Sequence, residues 1–132
     1  MKPKAISPIR SARGAAARLA GRRQEIIAAL WLMLKGYRIL GFRLRTPQGE
    51  IDLLAQKGGV LAVVEVKSRA SIEAALDCVS AAQRDRLRRA ARAVAARRPS
   101  LRALSVRLDL IAIAPGRRPR HIANAWNEAD SR

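Results

Sequence analysis

The sequence predicts an α/β domain, a mixed β-sheet flanked by helices in the order α-β-β-β-α-β. Three observations predict it. The Ala- and Leu-rich stretch from Ala15 to Lys35 carries Ile26, Ile27, Leu30, Met33 and Leu34 at relative positions 0, 1, 4, 7 and 8, the spacing of one helix face. Two runs rich in Leu, Ile and Val, Glu50 to Gln56 and Val60 to Lys67, flank the pair Gly58-Gly59, which is the pattern of a β-hairpin. A second helical line, Leu87, Ala90, Ala91, Val94 and Ala95, is followed by an alternating stretch from Leu104 to Ala114. Strands and helices interspersed in this way bury their apolar faces best as layers.

Each element has its own local signals. Met1 to Gly14 holds Pro3, Pro8, Ser7, Ser11 and four basic residues with no acid, and reads as a mobile basic arm. It lacks the apolar core of a secretory signal; an Arg-rich, acid-poor start also fits an organellar transit peptide, but the Arg and Ala bias continues along the chain and favours the arm. Residues 15–126 then form one domain and residues 127–132 a tail. Gly36 stops the first helix, Tyr37 to Arg45 is a strand, and Thr46-Pro47-Gln48-Gly49 turns into the hairpin. The second helix is expected from Ile72 to Arg97, ahead of Pro99. In the fourth strand Val106, Leu108, Leu110 and Ala112 alternate with Arg107, Asp109, Ile111 and Ile113; Pro115-Gly116 ends it, and His121 to Trp126 adds a short edge strand.

Composition narrows the partner class. The 132 residues suffice for a single core, and a 49% hydrophobic content argues for a folded body. The balance of 27 Lys and Arg against 10 Asp and Glu gives a net charge of +17, which favours a polyanion, nucleic acid first among them. An anionic membrane surface or an RNA-rich assembly is compatible with charge alone, but the longest apolar run, Ile26 to Leu34, is too short to cross a bilayer. Cys78 stands alone, which excludes an internal disulfide and a Cys-rich zinc site and predicts a small buried or half-buried residue. His121 is also alone and is expected at a surface or strand edge.

Three of the ten acidic residues lie in the hairpin, and their placement carries the chemistry. A turn centred on Gly58-Gly59 opposes Asp52 to Glu65 and Glu50 to Lys67. Opposed residues on antiparallel strands have Cβ atoms about 5 Å apart, and like charges so placed destabilise the pair. Period-2 alternation sets Glu50, Asp52, Glu65 and Lys67 on one face, a plausible hard-metal site. Magnesium takes oxygen ligands and keeps several waters, so Asp52, Glu65 and the Val66 carbonyl suffice to hold it. Lys67 can then orient the water or stabilise the developing phosphorane charge, which completes a part list for phosphodiester hydrolysis. The plainer alternative is a set of exposed ion pairs worth about 0–1 kcal/mol each.

Arg84, Arg88 and Arg92 recur at i, i+4 and i+8 of the second helix, with Arg89 beside them. Their excess over nearby acid points to phosphate contact. The four aromatics, Trp31, Tyr37, Phe42 and Trp126, are not interleaved with basic runs, which disfavours base stacking and favours backbone or shape recognition.

These residues also carry a family resemblance. Glu25, Ala28, Leu32, Gly36-Tyr37-Arg38-Ile39-Leu40, Arg45, Gly49-Glu50-Ile51-Asp52-Leu53-Leu54-Ala55 and Val64-Glu65-Val66-Lys67-Ser68-Arg69 resemble the YraN-like family of small bacterial proteins. That family is similar to the PD-(D/E)xK fold of restriction endonucleases and Holliday junction resolvases, and the match runs from about Gly21 to Ala114. The resemblance implies a restriction-endonuclease-like core, Asp52 and Glu65 as ligands of Mg2+, Lys67 as the catalytic lysine and Glu25 as an auxiliary acid on the first helix. Gln83 stands where the family has Lys or Gln early in the second helix, and Arg43 where it commonly has Asn. Arg45 and Arg69, within the matching blocks, join Arg84, Arg88 and Arg92 as nucleic-acid-binding candidates. The expectation is thus a cytoplasmic bacterial nuclease-like protein that hydrolyses structured or branched DNA, with DNA favoured over RNA, no membrane partner and a homodimer suited to paired cuts. The alternative is a non-catalytic basic DNA- or RNA-binding or ribonucleoprotein-associated protein that retains the fold.

Overall fold

The computed structural model describes residues 22–126. The expected arm over residues 1–14, the beginning of the first helix and the tail over 127–132 lie outside the described residues. Helix α1 occupies residues 22–34 and closes at Gly36, whose φ of +91° suits glycine, with the Tyr37 N–H donating back to the Leu32 carbonyl at 3.0 Å. Strands β1 (Arg38–Thr46), β2 (Gly49–Lys57) and β3 (Val60–Ser68) follow as an antiparallel meander. The chain then crosses over through helices α2 (Ile72–Asp77) and α3 (Ala81–Arg97) and a 3-10 turn, Pro99–Leu101. It returns as β4 (Ser105–Ile113), parallel to β3, and ends in the short antiparallel edge strand β5 (Arg120–Ile122). The five strands lie side by side in chain order, a mixed sheet flanked by helices and consistent with a restriction-endonuclease-like core.

The two sheet faces divide the strand side chains between the helices. Leu54, Leu61, Val63 and Leu108 pack with Leu87, Ala90 and Ala91 of α3. Leu53, Ala55, Ala62, Val64 and Ile111 pack with Ala28, Ala29 and Leu32 of α1. Burial on both faces explains why β2 and β3 read as near-continuous apolar runs.

Four expectations need correction. The apolar stripe of α1 is not its packed face: Ile26, Ile27, Leu30, Met33 and Leu34 are exposed, from 43% for Ile27 to 83% for Leu34, while Ala28, Ala29 and Leu32 are buried. Alanines admit the helix backbone close to the sheet, so Ala28 and Ala29 together with Leu32 mark the contact, and the larger apolar stripe does not. The second helix is two helices. Ser71 Oγ accepts from the Ala74 N–H and Ser80 Oγ from the Gln83 N–H, each at 3.1 Å, so Ser80 starts a new helix where a continuous one was expected. Cys78, in the break between them, is exposed rather than buried.

In β4 the expected alternation is overridden: Leu108, Asp109, Leu110, Ile111 and Ala112 are all buried. Asp109 is fully buried and fully partnered. Arg107 Nε and an Arg107 terminal nitrogen donate to its two oxygens at 2.7 Å, the Asn124 N–H donates at 3.0 Å, and His121 Nε2 lies 2.8 Å away. Burial alone would raise the Asp109 pKa, but the hydrogen bonds from His121 and Arg107 outweigh it and hold the carboxyl below its ordinary range. His121 does sit on the edge strand, yet its side chain is only 2% exposed, and Lys35 at the end of α1 reaches its Nδ1 at 2.6 Å. The network ties β5 and the end of α1 to β4.

Candidate active site

The hairpin register is the one expected from its glycine turn, Lys57 opposite Val60 through Leu53 opposite Val64. Beyond Leu53 the ladder stops. Asp52 instead turns its carboxylate to β3, where Oδ2 accepts the Val66 N–H at 3.1 Å. On the partner strand Glu65 is only 3% exposed, and Lys67 Nζ lies 3.6 Å from Glu65 Oε2. Glu50, Asp52, Glu65 and Lys67 line one cleft of about 530 Å³, as the alternation predicts. The turn Thr46-Pro47-Gln48-Gly49 forms one rim and Gln83, Arg86 and Leu87 of α3 another. That turn is tight because Thr46 Oγ1 accepts the Gln48 and Gly49 N–H groups and donates to the Gly49 carbonyl. A Cβ on Gly49 would meet Arg86 Cβ at 3.9 Å, so the rim and α3 are in near contact.

The electrostatics are unbalanced. Two neighbouring half-buried to buried carboxylates share a single ammonium. Burial raises the Glu65 pKa, the adjacent Asp52 carboxylate raises it further, and Lys67 only partly offsets them, leaving Glu65 pushed up to about 7. Asp52 is also raised, chiefly by burial and against the Val66 hydrogen bond. Among the described residues no group of three or more His, Cys, Asp or Glu converges on a point. The donor set is therefore two carboxylates with a shortage of positive charge between them, and this fits Mg2+, which binds through one or two carboxylates and retains water.

The remaining candidates have other partners. Glu50 pairs with Arg45 at 3.9 Å, both well exposed, and not with Lys67. Arg45 lines a separate hollow against Val94 and Arg97. Glu25 is 9% exposed and faces a hollow with Ile26 and Phe42, outside the cleft. Its two oxygens accept from Arg43 Nε at 3.0 and 2.9 Å, and this hydrogen bond is the main reason the Arg43 pKa is raised, with smaller attraction from Glu50 and Asp52. Arg43 has φ +47°, which few non-glycine residues adopt, and it is skipped in the ladder between Phe42–Leu53 and Leu44–Ile51, the position opposite Asp52. The pair Arg43 and Asp52 is thus missing from the ladder, and the Arg43 side chain turns to Glu25 of α1. Arg84 donates to the Val79 carbonyl at 3.0 Å and stacks over Trp126, Arg88 bridges to Asp85 at 3.8 Å, and Arg92 borders another hollow with Arg102. Arg69 donates to Cys78 Sγ at 3.0 Å and to the Ser68 carbonyl at 2.7 Å. None of the five arginines lines the cleft.

Arg86 does, and the sequence reading passed over it. The signal was available, since Gln83, Arg86 and Leu87 are at i, i+3 and i+4 and share a helix face.

The family model described as "Uncharacterised protein family UPF0102" matches residues 24–113. The chain belongs to that family. It is 68% identical over 129 residues to a UPF0102 protein of Caulobacter sp. (strain K31), covering 92% of this chain and 93% of the relative. A UPF0102 protein of Caulobacter vibrioides (strain NA1000 / CB15N) is 69% identical over 121 residues, covering 92% and 97%. One from Paramagnetospirillum magneticum (strain ATCC 700264 / AMB-1) is 48% identical over 115 residues, covering 84% and 89%. The YraN-like resemblance is thereby borne out at the level of family, and the matched span contains every residue of the cleft.

Proposed function

We propose that this UPF0102 member is a magnesium-dependent nuclease-like protein that hydrolyses phosphodiesters in structured or branched DNA. The observation that carries the reading is the convergence of Asp52, Glu65 and Lys67 in one cleft, with two carboxylates short of a cation. Asp52 and Glu65 would hold Mg2+, which supplies Lewis-acid polarisation of a phosphoryl oxygen and a more acidic bound water. The chain's own groups supply the rest. Lys67 places a positive charge beside the reacting phosphate and stabilises charge that develops there. Arg86 and Gln83, on the opposite wall, offer donors to the non-bridging oxygens and orient the strand. The Asp52–Val66 hydrogen bond fixes one carboxylate, so the site is partly organised before any ligand enters.

Purified protein with magnesium is expected to nick or resolve branched DNA, and to fail with chelator present. Asp52→Ala and Glu65→Ala are each expected to abolish cleavage while circular dichroism stays that of the parent. Undiminished cleavage by both variants would overturn the reading. A second reading, a non-catalytic basic DNA- or RNA-binding or ribonucleoprotein-associated protein, draws on the +17 charge and on a donor set of only two carboxylates. It expects salt-sensitive binding unaffected by chelator or Asp52→Ala, and no cleavage of any substrate. The relatives are bacterial, and among the described residues no helix is long and apolar enough to cross a membrane; a cytoplasmic site of action belongs to the same proposal. So does a homodimer, because cutting two strands symmetrically needs two clefts.

A further inference from the structure

Past the ends of β3 and β4 is a second cavity, of about 190 Å³, distinct from the carboxylate cleft. Its lining includes Arg69, Arg117, Arg118 and Arg120, against a single acid, Glu73. Three segments deliver the arginines: Arg69 directly follows β3, Arg117 and Arg118 lie in the turn after β4, and Arg120 opens β5 opposite Ala112. Bringing four guanidinium groups to one hollow is electrostatically unfavourable in itself. Among the described residues, no hydrogen bond or ion pair is made by the side chains of Arg117, Arg118 or Arg120, so internal pairing does not account for the arrangement. Arg69 is held by the Ser68 carbonyl and Cys78, which fixes its guanidinium at the cavity. Planar guanidinium forks match the oxygens of phosphate.

The cavity's position adds a second constraint. Arg69 comes two residues after Lys67, which lines the carboxylate cleft. An extended two-residue step covers about 7 Å, whereas successive phosphates of one DNA strand advance about 3.4 Å along the helix axis. We propose that the Arg69–Arg117–Arg118–Arg120 cavity is a second phosphate site, which grips the backbone of a nucleic-acid strand within a few nucleotides of the bond in the cleft. The proposal rests on the nucleic-acid reading of that cleft and adds where the strand is held. It also explains why this end of the sheet is basic although Glu65 and Asp52 are nearby: the carboxylates repel the polyanion that the arginines retain.

The test is binding of a fluorescently labelled four-way junction to the full chain in EDTA, followed by anisotropy across a salt series. Arg117→Ala/Arg118→Ala is compared with Arg38→Ala/Arg98→Ala, which removes equal charge from β1 and the end of α3. The cavity variant is expected to bind about tenfold more weakly, and to lose about 2 from the slope of log K against log salt, since each lost phosphate contact removes about 0.9. The single variants Arg117→Ala and Arg118→Ala should each give about half that change, with circular dichroism unaltered because both residues are exposed. Equal weakening by the two double variants would overturn the site. So would a loss confined to vesicles of anionic lipid with junction binding intact, which would assign the cavity to lipid headgroups. The experiment reads binding without cleavage, so a chain that never cuts DNA removes the hydrolytic proposal and leaves this one standing or falling by itself.

Discussion

Glu65 is held under two opposed demands, since the fold buries it and the proposed magnesium ligand role requires it ionised. A carboxyl whose folded pKa is raised binds its proton more tightly in the native state, so its stabilising contribution is complete below the ordinary value of 4.5 and is lost as pH rises to about 7. Metal-free protein is therefore expected to lose up to about 3 kcal/mol across that window. Glu65→Gln should remove the loss, being more stable than the parent at pH 8 without metal and indistinguishable near pH 4. Magnesium should stabilise the parent at pH 8 and leave the variant unmoved; urea unfolding at the three conditions checks it, and identical pH profiles would contradict it. Asp109 has the opposite sign. Its pKa is lowered, so its contribution is present above the ordinary value of 3.8 and lost in stronger acid. Asp109→Ala strands Arg107 and His121, both in contact with Tyr37, and should cost about 3 kcal/mol or more in a denaturant titration at neutral pH. Asp52, Glu65 and Lys67 were legible because a hairpin register and a period of 2 follow from local geometry. Asp109 was not: in the sequence it is one polar residue in an alternating strand, and only the packing of β5 and α1 against β4 buries and partners it.

Helix α1 inverts the usual reading of an amphipathic pattern. Leu32→Ala is expected to cost about 2–5 kcal/mol, because Leu32 is fully buried against β2 and β3. Leu34→Lys, at the most exposed of the large apolar positions, should stay within about 0.5 kcal/mol. The contrast is measurable in a single set of chemical denaturation curves, and equal losses would show that the apolar stripe is packed after all. In the crossover, Ser80→Ala is expected to cost about 1 kcal/mol by freeing the Gln83 N–H. Because Gln83 and Arg86 stand on the first turns of α3, the same change should loosen the cleft wall and weaken junction binding beyond what stability explains. The element types were legible from period and turn residues. The choice of buried face was not, since a helix of Ala and Leu offers two apolar faces and only docking on the sheet selects the one with Ala28, Ala29 and Leu32.

For the whole molecule, a charge of +17 on 132 residues makes the proposed association with nucleic acid an electrostatic event. Duplex or junction binding should fall steeply with salt, with a log–log slope of about −3 or steeper, corresponding to several phosphates neutralised. A slope near zero in an anisotropy titration would exclude backbone contact as the main term. The arginines that produce this charge were individually visible in the sequence, but their grouping was not. Helical spacing gathers Arg84, Arg88 and Arg92 on paper, whereas the structure engages Arg84 with Trp126 and Arg88 with Asp85, and assembles Arg69, Arg117, Arg118 and Arg120 from three segments. By itself, the sequence determined the family, through ordered blocks that run along most of the chain, and the strand and helix types, the hairpin register and the Asp52–Glu65–Lys67 constellation, because these depend on spacings within about 20 residues and on local turn chemistry. Only the tertiary structure decided which helix face is buried, that Glu25 is drawn to Arg43 and away from the cleft, that Arg86 is drawn into it, and which arginines meet. Those outcomes depend on how the β3–β4 crossover and the backbone irregularity at Arg43 bring distant segments together, and no local spacing encodes that.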